Sequence, residues 1–249
     1  MRENVASHTA QQVAAYRLSF DRPTAPFGDP AADESLARDI ADGVAVDHDR
    51  PMARYLRART AFFDRCVLRA FERGARQVVT IGAGYDARAL RYARPGVRWF
   101  EADHPATQRD KRARLDRLGI DATPITFVPA DLTRHHLATA LIEAGFAPAT
   151  PALMLCEGVV VYLAPAVAAD LFAQLRAIAA PGTRLALSRR IPGSGERRRE
   201  DFAARVAALG EPLAIGDADV PALLAAAGWR AIELSSRASR VGLLLVEPD

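Results

Sequence analysis

Short apolar runs alternate with longer stretches of helical spacing from about residue 76 to residue 190. The runs are Gln77–Ile81, Val97–Phe100, Ile125–Val128, Leu153–Cys156 and Arg184–Ser188, and their composition favours strands. Between them, Ala87–Ala93, Ala106–Leu118, His135–Glu143 and Pro165–Ala179 read as helices. Pro165 fits a first helical position, Gly119 and Gly145 sit where C-terminal caps belong, and Pro181-Gly182 marks a turn before the fifth run. Upstream, Met52–Phe71 places Leu56, Phe63, Val67 and Ala70 at the spacing of one amphipathic helix, and the section 1–75 as a whole reads as helical. Downstream, a helix over Val220–Ala227 precedes two more runs, Trp229–Leu234 and Val241–Val246. Their short polar link, Ser235–Arg240, predicts an antiparallel pair.

Strands alternating with helices build βαβ units. The fold class is therefore α/β: a Rossmann-like, mostly parallel seven-stranded sheet with helices on both faces, ending in the antiparallel pair. The chain reads as a single domain over 1–249, with a helical N-terminal cap (1–75), a core (76–190) and a C-terminal part (191–249). This last part holds a polar loop or insertion at 192–199 and the strand pair. Such sheets bind ligands beyond the carboxyl ends of their strands. Four successive ends carry Gly82 and Gly84, Asp103, Asp131 and Glu157, which points to a small-molecule pocket.

Composition narrows the field. With 50% hydrophobic and 25% charged residues the chain is not collagen-like, disordered or bilayer-spanning. Its 33 basic and 30 acidic residues are interspersed, so no stripe for nucleic acid is expected. Lys111 is the only lysine. Cys66 and Cys156 lie far apart without metal-ligand spacing, so neither a structural metal nor a disulfide framework is expected. The opening MRENVASHTAQQ lacks the apolar core of a secretory signal, and the expected location is cytoplasmic, without a membrane partner.

Gly82-Ala83-Gly84-Tyr85-Asp86-Ala87 follows a strand and opens a helix, and Asp103 follows at the separation where a ribose-binding acid belongs. This fits the dinucleotide fingerprint, but adenosylmethionine enzymes use glycines and a ribose-binding acid in the same way. Charge separates the two. A dinucleotide sets its pyrophosphate on the helix N-terminus, where Asp86 already supplies a carboxylate. Asp86 also fits a plain helix cap, and either role opposes pyrophosphate. An NAD(P)-dependent oxidoreductase is the alternative reading of the loop.

The chain resembles the leucine carboxyl methyltransferase family of class I S-adenosylmethionine-dependent methyltransferases, from about Tyr55 to Thr183. The resemblance rests on Arg59-Thr60-Ala61-Phe62-Phe63-Asp64, on the glycine loop with Arg88-Ala89, and on Phe100-Glu101-Ala102-Asp103-His104-Pro105 with Lys111. It continues through Pro129-Ala130-Asp131-Leu132 and Cys156-Glu157-Gly158 to Leu163. It implies S-adenosyl-L-methionine as cofactor, with S-adenosyl-L-homocysteine as product, and a small-molecule acceptor such as a carboxylic acid or a polyketide. It further implies that Arg59 pairs with the methionine carboxylate, and that Gly82 and Gly84 form the turn against which the cofactor lies. By the same resemblance Asp103 binds the ribose hydroxyls, Asp131 accepts from the adenine amino group, Leu132 packs on the ring and Glu157 lies near the methionine ammonium. Ala87 departs from the family's usual Thr or Ser, and the region 191–217, expected beside the acceptor, is short.

Other readings of single residues stay open. Asp103 and Asp131 each fit a turn or cap. Arg88 fits an internal ion pair with Asp86, Asp64 or Glu101. Glu157 ends an apolar strand, a costly place for an acid without a partner. Tyr162 fits either the methyl-transfer zone or packing, and His104 either a cofactor-side contact or a base; these two are the catalytic candidates. His135 and His136 fit the flank of a helix. The expected reaction is in-line O-methyl transfer. A carboxylate acceptor needs no base, whereas a hydroxyl does. Binding of the cofactor without turnover is a further alternative, since a pocket does not fix an activity.

Overall fold

The computed structural model describes residues 6–44, 51–189, 203–216, 218–234 and 242–249. The seven apolar runs enter one sheet as β1 (Gln77–Ile81), β2 (Arg98–Asp103), β3 (Ile125–Pro129), β4 (Ala152–Cys156), β5 (Arg184–Arg189), β6 (Trp229–Leu234) and β7 (Gly242–Pro248). Their order is β3-β2-β1-β4-β5-β7-β6. Neighbours from β3 to β5 are parallel, and β7 runs antiparallel to both β5 and β6. The helices are α1 (His8–Arg17), α2 (Pro30–Ala41), α3 (Pro51–Glu72), α4 (Arg88–Arg91), α5 (Pro105–Arg117), α6 (Leu137–Glu143), α7 (Pro165–Ala177), α8 (203–208) and α9 (Val220–Ala226). Among the described residues, no helix is long and apolar enough to cross a membrane.

Alternate residues of the central strands serve two apolar layers. Val79, Ile81, Phe100 and Met154 pack with Leu141 of α6, Phe172 of α7 and Leu224 of α9. Val78, Trp99 and Leu153 pack with Leu36 of α2, Phe63 of α3, Leu90 of α4 and Leu115 of α5. Both faces are covered, which is why these strands read as continuous apolar runs instead of alternating ones. The indole Nε1 of Trp229 donates to Phe172 O at 3.0 Å and ties β6 to α7.

Most element boundaries shift by one or two residues from the sequence pattern, and three differences have a clear cause. The helix expected over Ala87–Ala93 spans only Arg88–Arg91, because Tyr92 already leaves the helical region and Arg94 precedes Pro95, which disfavours helical backbone. β2 begins one residue later than expected and continues to Asp103, since its ladders to β1 and β3 hold Glu101 and Ala102 in extended conformation. The section 1–75 is not helical throughout: no helix occupies 18–29, a stretch rich in Pro and Gly. The insertion at 192–199, the link Ser235–Arg240 and Val241 lie outside the described residues.

One buried pair beneath the sheet's edge makes stability depend on pH. Lys111 Nζ donates to Glu101 Oε2 at 2.5 Å, and both side chains are fully covered. Burial pushes the Glu101 carboxyl up to about 7 despite the lysine. A folded-state value above the unfolded one means that the fold favours the protonated acid. That contribution is complete below about 4.5 and is lost as pH rises through about 7, at most about 3 kcal/mol. Urea unfolding from pH 5 to 8 should therefore show a falling free energy, and Glu101→Gln should flatten it; a variant with the wild-type slope would remove Glu101 as the cause.

Candidate functional site

Register sets the strand ends side by side. Ile81 pairs with Ala102, Asp103 with Pro129 and Thr80 with Leu155. The carboxyl edge therefore presents, in order, Asp131 after β3, Asp103 closing β2, the glycine turn after β1 and Glu157 after β4. The chain connections diverge on either side of β1, where such sheets open a crevice. A cavity of about 410 Å³ lies there. Arg59, Gly82, Gly84, Asp103, Asp131, Leu132 and Glu157 all line it, as do Tyr162 and His104.

The two glycines of the turn are required by close approaches. Gly82 has φ 61°, and a Cβ there would meet Val159 Cγ2 at 2.4 Å; Gly84 has φ 52°, and a Cβ would meet Ala10 Cβ at 2.8 Å. Gly84 N–H donates to Asp103 Oδ2, and His104 N–H to Asp103 Oδ1 at 2.5 Å. Burial still holds the Asp103 carboxyl above its ordinary value, because these two bonds offset desolvation only in part. Asp131 is more open. It accepts from Thr133 N–H at 2.9 Å and Thr133 Oγ1 at 2.7 Å, and these bonds outweigh its partial burial and hold its carboxyl low.

Glu157 sits among three arginines: Arg88 at 2.6 Å, Arg59 at 2.9 Å and Arg17 at 3.0 Å. Burial alone would raise its carboxyl, but the three guanidinium groups override burial and hold it well below the usual carboxylate range. Arg59, from the buried face of α3, thus meets Glu157 directly, two residues the sequence reading assigned to opposite ends of one ligand moiety. Arg88 is fully buried and binds Asp64 at 2.6 Å and Asp86 as well as Glu157. Of its three expected partners two are found; Glu101 is taken by Lys111 instead. Asp86 accepts from Arg88 N–H at 2.8 Å, so an acid does occupy the start of α4.

His104 caps α5: its Nδ1 accepts from Ala106 N–H at 3.2 Å. That bond occupies the Nδ1 lone pair and leaves the neutral ring's proton on Nε2. Tyr162 O–H donates to Thr9 Oγ1 at 3.5 Å, and burial raises its phenol above the ordinary value. His135 Nδ1 accepts from Asp131 N–H at 2.7 Å, and His136 stands at the N-cap of α6 without a capping bond to it.

The sequence reading missed the wall contributed by the two ends of the chain. Thr9 and Arg17 of α1 line the cavity, and so does Glu211. Glu211 accepts from His8 N–H at 2.8 Å and from Thr9 Oγ1. No motif announces these residues. Arg17 is one arginine among many, and Glu211 lies near the opposite end of the chain from its partners.

In the sheet, β7 is inserted antiparallel between β5 and β6. A solved DUF574 family protein from Streptomyces avermitilis superposes with a TM-score of 0.65 at 14% identity, covering 99% of each chain. A provisionally named methyltransferase from Thermobifida fusca does so at 0.59 and 16%, covering 96% of this chain and 94% of its own. At such identities the likeness is one of fold.

The leucine carboxyl methyltransferase family model matches residues 4–176, and the chain belongs to that family. The match reaches well upstream of Tyr55, into α1. A provisionally named S-adenosyl-L-methionine-dependent methyltransferase of Mycolicibacterium smegmatis is 36% identical over 224 residues, 84% of this chain and 69% of the relative. One from Parafrankia is 38% identical over 193 residues, 74% of this chain and 61% of the relative. The chain spans between 46% and 69% of the length of the curated relatives it matches. The oxidoreductase alternative gains no support from these relatives.

Proposed function

We propose that this chain binds S-adenosyl-L-methionine in the cavity at the sheet's carboxyl edge and transfers its methyl group to an oxygen of a small molecule, a carboxylate or a hydroxyl. The observation that carries this reading is convergence: seven residues from five separate stretches of the chain line one space. Their chemistry suits the ligand. Arg59 can take the methionine carboxylate as a charge-assisted fork, and Glu157 can face the ammonium. Asp103 can accept from the ribose hydroxyls and Asp131 from the adenine amino group, with Leu132 against the ring. Gly82 and Gly84 let the turn approach the ligand closely. The buried ion-pair network supports the fit, because five guanidinium groups (Arg17, Arg22, Arg59, Arg88, Arg91) face four carboxylates (Asp33, Asp64, Asp86, Glu157). A ligand carboxylate would meet that extra cation at Arg59, while the ligand ammonium would face Glu157.

The bound cofactor supplies an electrophilic methyl group on a sulfonium. The protein's part is to align the acceptor oxygen behind that methyl and to exclude water. In this reading 1–249 works as one cytoplasmic unit, with α1 and Glu211 walling the acceptor side. Calorimetry tests it. S-adenosyl-L-methionine and S-adenosyl-L-homocysteine should both bind, and Asp103→Ala should weaken both about 30- to 100-fold, the loss of roughly 2–3 kcal/mol of charged hydrogen bonding. No heat from either ligand at millimolar concentration would overturn the assignment.

A further inference from the structure

The cavity wall formed by α1, Tyr162 and Glu211 holds a chain of three hydroxyl and carboxyl groups that donate in one direction. Glu211, 8% exposed, accepts at both oxygens: Oε1 from His8 N–H at 2.8 Å and Oε2 from Thr9 Oγ1. A hydroxyl has one proton, and that of Thr9 is committed to Glu211. Thr9 Oγ1 is therefore left as an acceptor, and it receives the Tyr162 O–H at 3.5 Å. Ser7 Oγ lies 3.3 Å from the same Thr9 oxygen and can donate to it too. Tyr162 in turn has given its only proton away, so what its oxygen offers the cavity is a lone pair. A carboxylate acceptor has no proton to place there. A phenol or alcohol has the proton that fits.

We propose, on the methyltransferase reading above, that the acceptor is a hydroxyl compound and that Tyr162, Thr9 and Glu211 form the relay that removes its proton. In the step, the acceptor O–H bond breaks as its oxygen forms the bond to the methyl carbon. The S–CH₃ bond breaks and its electron pair stays on sulfur, which gives S-adenosyl-L-homocysteine. The acceptor's proton passes to the Tyr162 oxygen, the Tyr162 proton to Thr9 and the Thr9 proton to Glu211, which becomes a carboxylic acid. Tyr162 is the catalytic residue, and Thr9 and Glu211 are positioning residues that act through it. Burial keeps the Tyr162 phenol protonated, which suits a relay better than a free-standing base.

Binding is read first, with protein saturated by S-adenosyl-L-homocysteine and two ring-matched probes, 4-methylphenol and 4-methylbenzoate. The phenol should bind at least tenfold tighter, and Tyr162→Phe should erase the difference. Equal affinity, the reverse order or no binding of either overturns the proposal. Turnover is read with tritiated-methyl S-adenosyl-L-methionine and a bacterial small-molecule extract. Label that survives mild alkali marks ethers, whereas label released as methanol marks esters. Stable label supports the hydroxyl acceptor; released label overturns it and leaves the methyltransferase reading standing. No label in either fraction overturns both. Thr9→Val should lower the rate about 100-fold and abolish the acid limb of its pH profile, while Thr9→Ser restores both. A Thr9→Val profile like that of the wild type overturns the relay. Unchanged S-adenosyl-L-homocysteine affinity in Thr9→Val separates lost proton transfer from a misfolded cavity.

Discussion

Arg88→Met should lower stability by about 3–5 kcal/mol, because it strands buried carboxylates that share one guanidinium. Arg88 has no exposed side-chain surface; it binds Asp64 and Glu157 at 2.6 Å, and Asp86 besides. Met matches much of its apolar volume, so the loss reads charge and not cavity. Asp64 would keep Arg22, Asp86 would keep Arg17, and Glu157 would keep Arg17 and Arg59, but each carboxylate would lose its shortest ion pair in a place where no water replaces it. For a chain of this size the midpoint should fall by roughly 10–15 °C in a thermal melt. The pH dependence has a definite sign. In the wild type, burial would raise Asp64 and Asp86, yet the arginines outweigh it and hold both below the usual range. Their contribution is present above about pH 4 and lost as pH falls through the depressed values. Without Arg88 those values rise, so the deficit should shrink as the solution is acidified. A midpoint within about 2 °C of wild type at pH 7 would mean that Arg88 carries none of this.

Glu157→Gln should produce the second large effect, on stability and ligand binding together. The amide keeps the shape but removes the charge facing Arg17, Arg59 and Arg88. Breaking a buried pair on one side costs about 3–5 kcal/mol, and the crowding of three cations places this variant within that range. On the proposed reading, in which Glu157 faces the ligand ammonium, S-adenosyl-L-homocysteine should bind about 100-fold more weakly. Wild-type affinity in a folded Glu157→Gln protein would take Glu157 out of the ligand's surroundings and leave it a purely structural acid.

The two substitutions bear on residues shared by the cavity wall and the buried core. Glu157 is the last acid on the cavity rim and the first of the buried network that runs through Arg88 to Asp64, Arg22 and Asp33. Any ligand that engages Arg59 or Glu157 competes with, or completes, an interaction already present in the fold. Ligand affinity and unfolding free energy should therefore move together in variants of this network, and apart in Asp131 variants, whose carboxylate is held by its own turn and an exposed arginine outside the network.

By itself the sequence determined the sheet, most of its helices and the four acidic or glycine-bearing strand ends. Those features are local: apolar runs closed by Gly or Asp, and an amphipathic repeat in α3, leave their mark within a short stretch of chain. Register then carries the strand ends to one edge, so Gly82, Gly84, Asp103, Asp131 and Glu157 could be named in advance as neighbours. The tertiary structure alone decided what meets across long separations. Arg59 pairs with Glu157, Arg17 with Asp86, and Glu211 with the start of α1, each from a distant part of the chain. It also settled His104 as a helix cap and shortened α4 to one turn. Charged and hydroxyl groups carry no periodic signal of their partners, because in a chain with 33 basic and 30 acidic residues every arginine has many possible mates. Only desolvation in the packed interior makes one choice among them far cheaper than the rest.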